Sequence, residues 1–133
     1  MLRAIADTHV AIWYIYGDDR LSPAAHAIIE QAAANGDQIV ISSIALIEAV
    51  YLAEKGRIAP EAFERLLHAI RTHESVLTEA PIDHHIADAL RRVDRSQIPD
   101  MPDRIIAATA LYLNLPLISR DGRIRLSEVT TIW

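Results

Sequence analysis

The sequence contains no cysteine, and this absence excludes two kinds of chemistry. Without thiols the chain can build neither a disulfide framework nor a thiolate metal site. Thiol-based and soft-metal catalysis are excluded with them. A chain that needs no disulfides also fits a reducing compartment, so we expect a cytoplasmic protein.

Long apolar runs are also missing from the sequence. The longest uncharged stretch, residues 105–119, contains Asn114 and Pro116 and is shorter than the ~20 apolar residues that span a bilayer. Near the start, Arg3 and Asp7 interrupt the apolar segment that a secretory signal requires. We therefore expect a soluble protein without a membrane partner.

The length and the hydrophobic content of the chain predict one compact domain covering residues 1–133. A chain of 133 residues, 51% of them hydrophobic, can bury a single core but not two ordinary ones. No linker, repeat or low-complexity tract divides it. The net charge of −5 is uneven, because residues 1–83 carry six basic and twelve acidic groups, whereas residues 84–133 carry seven arginines and six acids.

Helix and strand signals alternate along the chain. Strand-like apolar runs separate segments that begin with capping residues, such as Ser22 before Pro23, and Asp83. This alternation predicts an α/β fold with helices on both faces of a parallel sheet. The predicted strands are residues 2–6, 38–42, 75–78, 115–119 and 129–132. The predicted helices start near residues 10, 23, 43, 60, 83 and 103 and end, in the clearest cases, near residues 35, 56, 70, 92 and 113.

Two acidic residues stand where an acid is unexpected. Asp7 ends the first apolar strand, and the carboxyl ends of parallel strands line the ligand crevice of such sheets. Capping of the next helix is the alternative explanation. Glu48 interrupts an apolar helical stripe formed by Ile44, Ala45 and Leu52. A carboxylate in such surroundings must be paired, protonated or bound to metal.

Two further acids lie late in the chain. Asp103 opens a helical segment after Pro102, where an acid also favours the helix dipole. Asp121 follows the last clear apolar run and precedes Gly122, a pair that usually marks a turn. Each is weak evidence alone, and the four acids are informative as a set.

As a set, these segments resemble the PIN domain, and within that family the VapC-type ribonuclease toxins of toxin–antitoxin pairs. The resemblance rests on residues 7–10, 41–48, 54–57, 102–110 and 115–121. It implies a three-layer α/β/α fold with five strands in the order 3-2-1-4-5, and a metal-dependent endoribonuclease. It also implies a small antitoxin partner that blocks the acidic cleft, and a homodimer.

The chemistry of clustered carboxylates agrees with that expectation. Carboxylates repel one another unless a hard cation neutralises them, and Mg²⁺ prefers oxygen ligands. Bound Mg²⁺, or Mn²⁺, would activate water and stabilise charge on phosphoryl oxygens. We assign Asp7 and Asp103 as direct ligands, and Glu48 and Asp121 as ligands directly or through water. Candidate supporting hydroxyls, which orient carboxylates or water, are Thr8 and Ser119.

Contacts with RNA are predicted from basic and aromatic residues beside these acids. Arginine forks match phosphate oxygens, and the candidates near the site are Arg104, Arg120 and Arg123. Aromatic rings can stack on unpaired bases, and the candidates are Trp13, Tyr14 and Tyr16. Surface solvation for the arginines and core packing for at least two of the rings are the alternatives.

Other functional classes fit the residues less well. A receiver-like, Mg²⁺-binding signalling domain resembles this pattern but carries a lysine late in the chain, whereas the sole lysine here is Lys55. The six histidines show no His-Glu-x-x-His arrangement of a zinc site. A non-catalytic PIN-like interaction module, with the acids stabilising the fold or binding metal, stays open.

Overall fold

The computed structural model describes residues 1–72, 74–125 and 128–133. Five strands form one all-parallel sheet in the order β3-β2-β1-β4-β5. The strands are β1 (Leu2–Ala6), β2 (Gln38–Ser42), β3 (Leu77–Ala80), β4 (Leu117–Ile118) and β5 (Thr131–Ile132). This confirms the predicted parallel sheet, and the strand order is the one that the family resemblance implied.

Seven helices connect these strands in the described part of the chain. They are α1 (Thr8–Tyr16), α2 (Pro23–Ala34), α3 (Ser43–Glu54), α4 (Ala62–Arg71), α5 (His84–Leu90), α6 (Met101–Leu113) and α7 (Gly122–Arg125). No helix in this part combines the length and apolar character needed to cross a bilayer.

The side chains of β1 show why the molecule has three layers. Successive residues of a strand point to opposite faces. Ala4 and Ala6 are accordingly buried in a core with residues of α1, α2 and α4, whereas Ile5 is buried in a second core with residues of α5 and α6. An apolar strand buried on both faces is what a sheet covered by helices on each side requires.

Several predicted boundaries were wrong, and local hydrogen bonds explain two of them. The strand predicted at 75–78 begins only at Leu77, because the Ser75 hydroxyl accepts a hydrogen bond from the Leu77 N–H at 3.1 Å in a local turn. The helix predicted from Asp103 begins at Met101, because the carboxylate of Asp100 is its N-cap.

Other differences lie at the ends of elements. The strand predicted at 115–119 is only two residues long, since the Leu115 N–H bonds the Ala110 carbonyl at 3.0 Å and closes the preceding helix. α1 starts at Thr8 rather than Val10, and α4 at Ala62 rather than Pro60. α5 ends at Leu90, two residues before the predicted end. The short helix α7 was not predicted.

Candidate active site

The topology places two acids from distant parts of the sequence at one edge of the sheet. β1 and β4 are parallel neighbours, with Ala6 beside Ile118. Asp7 directly follows β1, and its N–H bonds the Ile118 carbonyl at 3.2 Å. Asp121 follows β4 by three residues. The carboxyl ends of the two central strands therefore present both carboxylates to the same cleft.

Asp7 serves the fold and the cleft at once. Its carboxylate caps α1 by accepting a hydrogen bond from the Val10 N–H at 3.0 Å. Burial raises the pKa of Asp7, against the opposing effect of hydrogen bonds from the Ser119 side chain and the Val10 backbone. Capping of α1 and a position in the cleft are therefore compatible roles for Asp7, because a capping carboxylate keeps lone pairs for another partner.

Glu48 reaches the cleft from α3 and is held there by a threonine. The buried hydroxyl of Thr8 donates a hydrogen bond to Glu48 Oε1 at 2.5 Å. Burial raises the pKa of Glu48, the Thr8 hydrogen bond opposes this, and the carboxylates of Asp100 and Asp7 raise it further. Thr8 therefore orients a carboxylate that its neighbours disfavour as an anion.

Asp103 is the acid on which the charges of the other four acids act together. It lies in the first turn of α6, where its N–H bonds the carboxylate of Asp100 at 3.1 Å. Burial, followed by the charges of Asp100, Asp121, Glu48 and Asp7, raises the pKa of Asp103 to about 7. An Asp with so high a pKa, surrounded by four other acids, marks a site that favours bound positive charge.

Ser119 connects the two acids at the strand ends. Its hydroxyl accepts a hydrogen bond from the Asp121 N–H at 3.0 Å, and its side chain also bonds the carboxylate of Asp7. Asp121 in turn accepts from the Ile124 N–H at 3.2 Å at the start of α7. Ser119 therefore holds the carboxylate of Asp7 and the backbone of Asp121.

These acids share a cleft of about 500 Å³, called here the acidic cleft. Its lining residues are Asp7, Thr8, His9, Trp13, Glu48, Tyr51, Leu52, Arg57, Asp100, Asp103, Arg120 and Asp121. All four predicted acids are therefore brought together. Sequence reasoning missed Asp100, Tyr51 and Arg57 as cleft residues, although Asp100 two residues before Pro102 has the form of a helix cap.

The three predicted RNA-binding arginines differ in position. Arg120 lines the acidic cleft, with its guanidinium 4.7 Å from the Trp13 ring centroid. Arg104 is not among the residues that line the cleft, and its guanidinium bonds the carbonyls of Leu90 and Val93 at 3.2 and 3.1 Å, at the end of α5. Its contact with RNA stays a prediction. The side chain of Arg123 lies outside the described residues.

The three predicted stacking rings lie in the core or pack against it, and Tyr14 and Tyr16 are partly exposed. Trp13 is only 4% exposed, and His9, Arg20, Arg120 and Trp133 surround its ring. The other two rings, Tyr14 and Tyr16, pack against the core formed with α1, α2 and α4. The alternative of core packing is the correct one for these residues.

The cleft fits a hard divalent cation by the chemistry of its donors. Its acids offer only oxygen donors. Burial first, and then the charge of neighbouring acids, raises the pKa of three of them, Asp7, Glu48 and Asp103. Among the described residues, no group of three His, Cys, Asp or Glu side chains is placed to hold a metal ion. Mg²⁺ needs fewer protein ligands, because it commonly takes one or two carboxylates and completes its shell with waters and substrate phosphates.

A second cavity, of about 550 Å³, lies away from the strand ends. It is bordered by α1, α2 and α4, and its acid Glu30 already accepts a hydrogen bond from Tyr14 at 2.9 Å and lies 3.9 Å from His26. Its acids, Glu30, Glu61 and Glu64, lie on α2 and at the start of α4 and not at the ends of strands. The acidic cleft is therefore the better candidate for catalysis.

A parallel sheet between two helical layers, with carboxylates at the ends of its central strands, defines an α/β/α domain with an acidic cleft. The chain belongs to the PIN domain family, whose family model matches residues 4–129. It is 33% identical, over 136 residues that cover both chains fully, to Ribonuclease VapC22 of Mycobacterium tuberculosis.

Solved structures agree with this fold. The chain is similar to a chain of VapBC2 from Rickettsia felis bound to a promoter DNA fragment, with 18% identity, TM-score 0.71, and coverage of 98% and 97% of the two chains. It is also similar to a chain of DNA-bound VapBC from Salmonella typhimurium, with 24% identity, TM-score 0.68, and coverage of 98% and 97%. At these identities the likeness concerns the fold alone.

Proposed function

We propose that this protein is an endoribonuclease that hydrolyses RNA phosphodiester bonds and acts as the toxin of a toxin–antitoxin pair. The observation that carries the proposal is the meeting of Asp7, Glu48, Asp103 and Asp121 in one cleft, where burial, followed by the charges of the neighbouring acids, raises the pKa of Asp103 to about 7. Full-length similarity to a ribonuclease, at 33% identity, supports the reaction.

The acids would divide the work according to their positions. Asp7 and Asp103 are proposed as direct ligands of Mg²⁺ or Mn²⁺, with Glu48 and Asp121 binding directly or through water. Such an ion supplies an activated water and stabilises charge on the phosphoryl oxygens. The chain's own contribution is to hold the carboxylates in place around the ion.

Two hydroxyls and one arginine complete the proposed machinery. Thr8 holds Glu48 through its 2.5 Å hydrogen bond, and Ser119 bonds both Asp7 and the backbone of Asp121. Arg120 at the cleft edge would attract the RNA phosphate, since a guanidinium matches its oxygens. The whole chain would act as one nuclease domain.

A cognate antitoxin is the proposed protein partner, and a homodimer the proposed assembly, both in the cytoplasm. The structural neighbours from toxin–antitoxin complexes support the antitoxin partner by analogy of fold. Their TM-scores of 0.64 to 0.71 extend over nearly the whole chain, so the analogy concerns the complete fold. An antitoxin that covers the acidic cleft would keep RNA away from the carboxylates.

The decisive experiment is cleavage of labelled RNA by the purified protein with Mg²⁺, with Mn²⁺ and with EDTA. Asp103→Asn should lower the rate at least about 100-fold while leaving the protein folded, because the amide is a poorer ligand for a hard cation. Asp19→Asn is the matched control, since Asp19 is exposed and lies outside the acidic cleft.

Equal cleavage by the parent and Asp103→Asn would contradict the proposed function. Absence of cleavage of several RNAs, with Mg²⁺ or Mn²⁺ demonstrably bound, would instead favour the non-catalytic interaction module. In that case the acids would serve only the fold or a binding site.

A further inference from the structure

The acidic cleft has a wall formed by the end of α3 that the proposed chemistry does not use. Tyr51 lines this wall, three residues after Glu48, so the two side chains share one face of the helix. Its ring is 55% exposed although tyrosine is large and apolar over most of its surface. A wide aromatic surface is thus left open beside the proposed ligands.

Two cations accompany this ring. The ammonium of Lys55 lies 4.4 Å from the Tyr51 ring centroid, and Arg57 lines the cleft next to it with an exposed side chain. Within the described ranges neither cation makes an ion pair with a carboxylate. Their charge is therefore available to a ligand, even though five carboxylates line the same cleft and the chain carries −5 overall.

The other large ring in the cleft does not offer the same surface. Trp13 is 4% exposed and its ring is surrounded, whereas Tyr51 keeps more than half of its surface in solvent. Of the tryptophan and tyrosine rings that line the cleft, Tyr51 is the one that can accept a flat partner. An exposed ring with one cation over it and a second cation in the same cleft suits a nucleobase flanked by phosphates, because the exposed Lys55 side chain can move aside for the base.

We propose that Tyr51 stacks on an unpaired base beside the cleaved bond, while Lys55 and Arg57 bind the neighbouring phosphates. The inference rests on the proposed ribonuclease function and names the residues that would hold the base and the phosphates beside the cut. A paired base cannot stack on a protein ring without leaving its helix, so a duplex would be bound poorly.

The test is binding of a fluorescein-labelled RNA, roughly ten nucleotides long and unpaired, measured by anisotropy in EDTA. Tyr51→Ala should weaken binding about 5- to 100-fold, as expected for loss of one stacked base. Tyr51→Phe should bind within about twofold of the parent, since the ring is kept. Annealing the RNA into a duplex should weaken binding by the parent and remove the difference between variants.

The matched control is Tyr112→Ala, because Tyr112 is 47% exposed but lies on α6 beside His85 and not in the acidic cleft. It should bind the RNA like the parent, and thermal unfolding should show all variants folded. The same proteins are then assayed for cleavage with Mn²⁺. These two readouts separate recognition of RNA from the chemical step.

Equal binding of the unpaired RNA by the parent and Tyr51→Ala, in a parent that cleaves RNA, would overturn this inference alone. Stronger binding of the duplex than of the single strand would also overturn it. A parent that neither binds nor cleaves RNA would overturn the proposed function and this inference together. If Tyr51 contacts a protein partner instead, the parent and Tyr51→Ala should bind the unpaired RNA equally.

Discussion

At the residue scale, Thr8 shows how a hydroxyl can control a carboxylate. The side chain is 3% exposed, and its hydrogen bond to Glu48 is one of the few favourable contacts of that acid in the cleft. Outer partners of this kind fix the orientation of a ligand that would otherwise move away from its neighbours' charge. The role of Thr8 is therefore testable apart from that of Glu48.

Thr8→Val should lower RNA cleavage about 10- to 100-fold by releasing Glu48, whereas Thr8→Ser, which keeps the hydroxyl, should recover most of the rate. Single-turnover cleavage at saturating Mn²⁺ measures both variants. Thr109→Val is the control, because Thr109 is equally buried but bonds only the Ile105 carbonyl in its own helix. If Thr8→Ser is no better than Thr8→Val, the hydroxyl does not position Glu48.

At the element scale, Asp100 combines two effects that a substitution can separate. Its carboxylate caps α6, which stabilises the helix, and its charge raises the pKa of Asp103 and Glu48, which destabilises their anions. Serine caps a helix without carrying a charge, whereas alanine neither caps the helix nor carries a charge.

Asp100→Ser should therefore be more stable than Asp100→Ala by about 1 kcal/mol, the usual value of an N-cap. Urea unfolding at pH 8 in EDTA measures the difference in free energy of unfolding. Ser22→Ala, which removes the cap of α2 far from the cleft, gives the size of a cap without any charge effect. Coincident unfolding curves for the two Asp100 variants would show that α6 does not depend on this cap.

The helices and strands also show which features of the fold could be predicted from the sequence. The bounds of β2 and the caps Ser22 and Asp83 were predicted, because apolar runs and capping residues are local signals. The helix α7 has four residues, too few to show a helical period. The position of Arg104 outside the cleft lining could not be predicted, because the direction of a long side chain depends on how α5 and α6 pack, which no local pattern contains.

At the scale of the whole molecule, the acids came together because the strand order is 3-2-1-4-5. Alternating helices and strands predicted the parallel sheet, but the neighbours of β1 followed only from the family resemblance. Asp100 was missed because several acids near a helix start look alike in sequence. Which of them face the cleft depends on the whole arrangement, and the catalytic roles of all of them stay a prediction.

The stability of the metal-free protein should depend on pH in the opposite sense to most acidic proteins. Asp103 has a folded pKa of about 7, above its ordinary 3.8, so the folded state holds a proton that the unfolded state has lost. Stability contributed by this group is present below pH 3.8 and declines as the pH rises through 7. Asp7 and Glu48 act in the same direction.

We therefore expect the protein in EDTA to unfold at lower urea concentration at pH 8 than at pH 5.5. Asp103→Asn should remove much of this dependence and stabilise the protein at pH 8 by about 1–2 kcal/mol, a value reduced for solvent screening of a partly exposed group. Two acids outside the cleft, Asp18 and Asp94, have lowered pKa values and lose their protons below this pH window in both states. They should not contribute to the difference.

Addition of Mn²⁺ at pH 8 separates repulsion in the cleft from general effects of charge. An ion that binds only the folded state should raise the free energy of unfolding, by about 2.7 kcal/mol at one hundred times its dissociation constant. Asp103→Asn should lose most of that gain, and Asp19→Asn should keep it. If Mn²⁺ stabilises all three proteins equally, the acidic cleft is not the site at which the cation binds. If the parent in EDTA is more stable at pH 8 than at pH 5.5, the acids of the cleft do not destabilise the metal-free fold when they ionise.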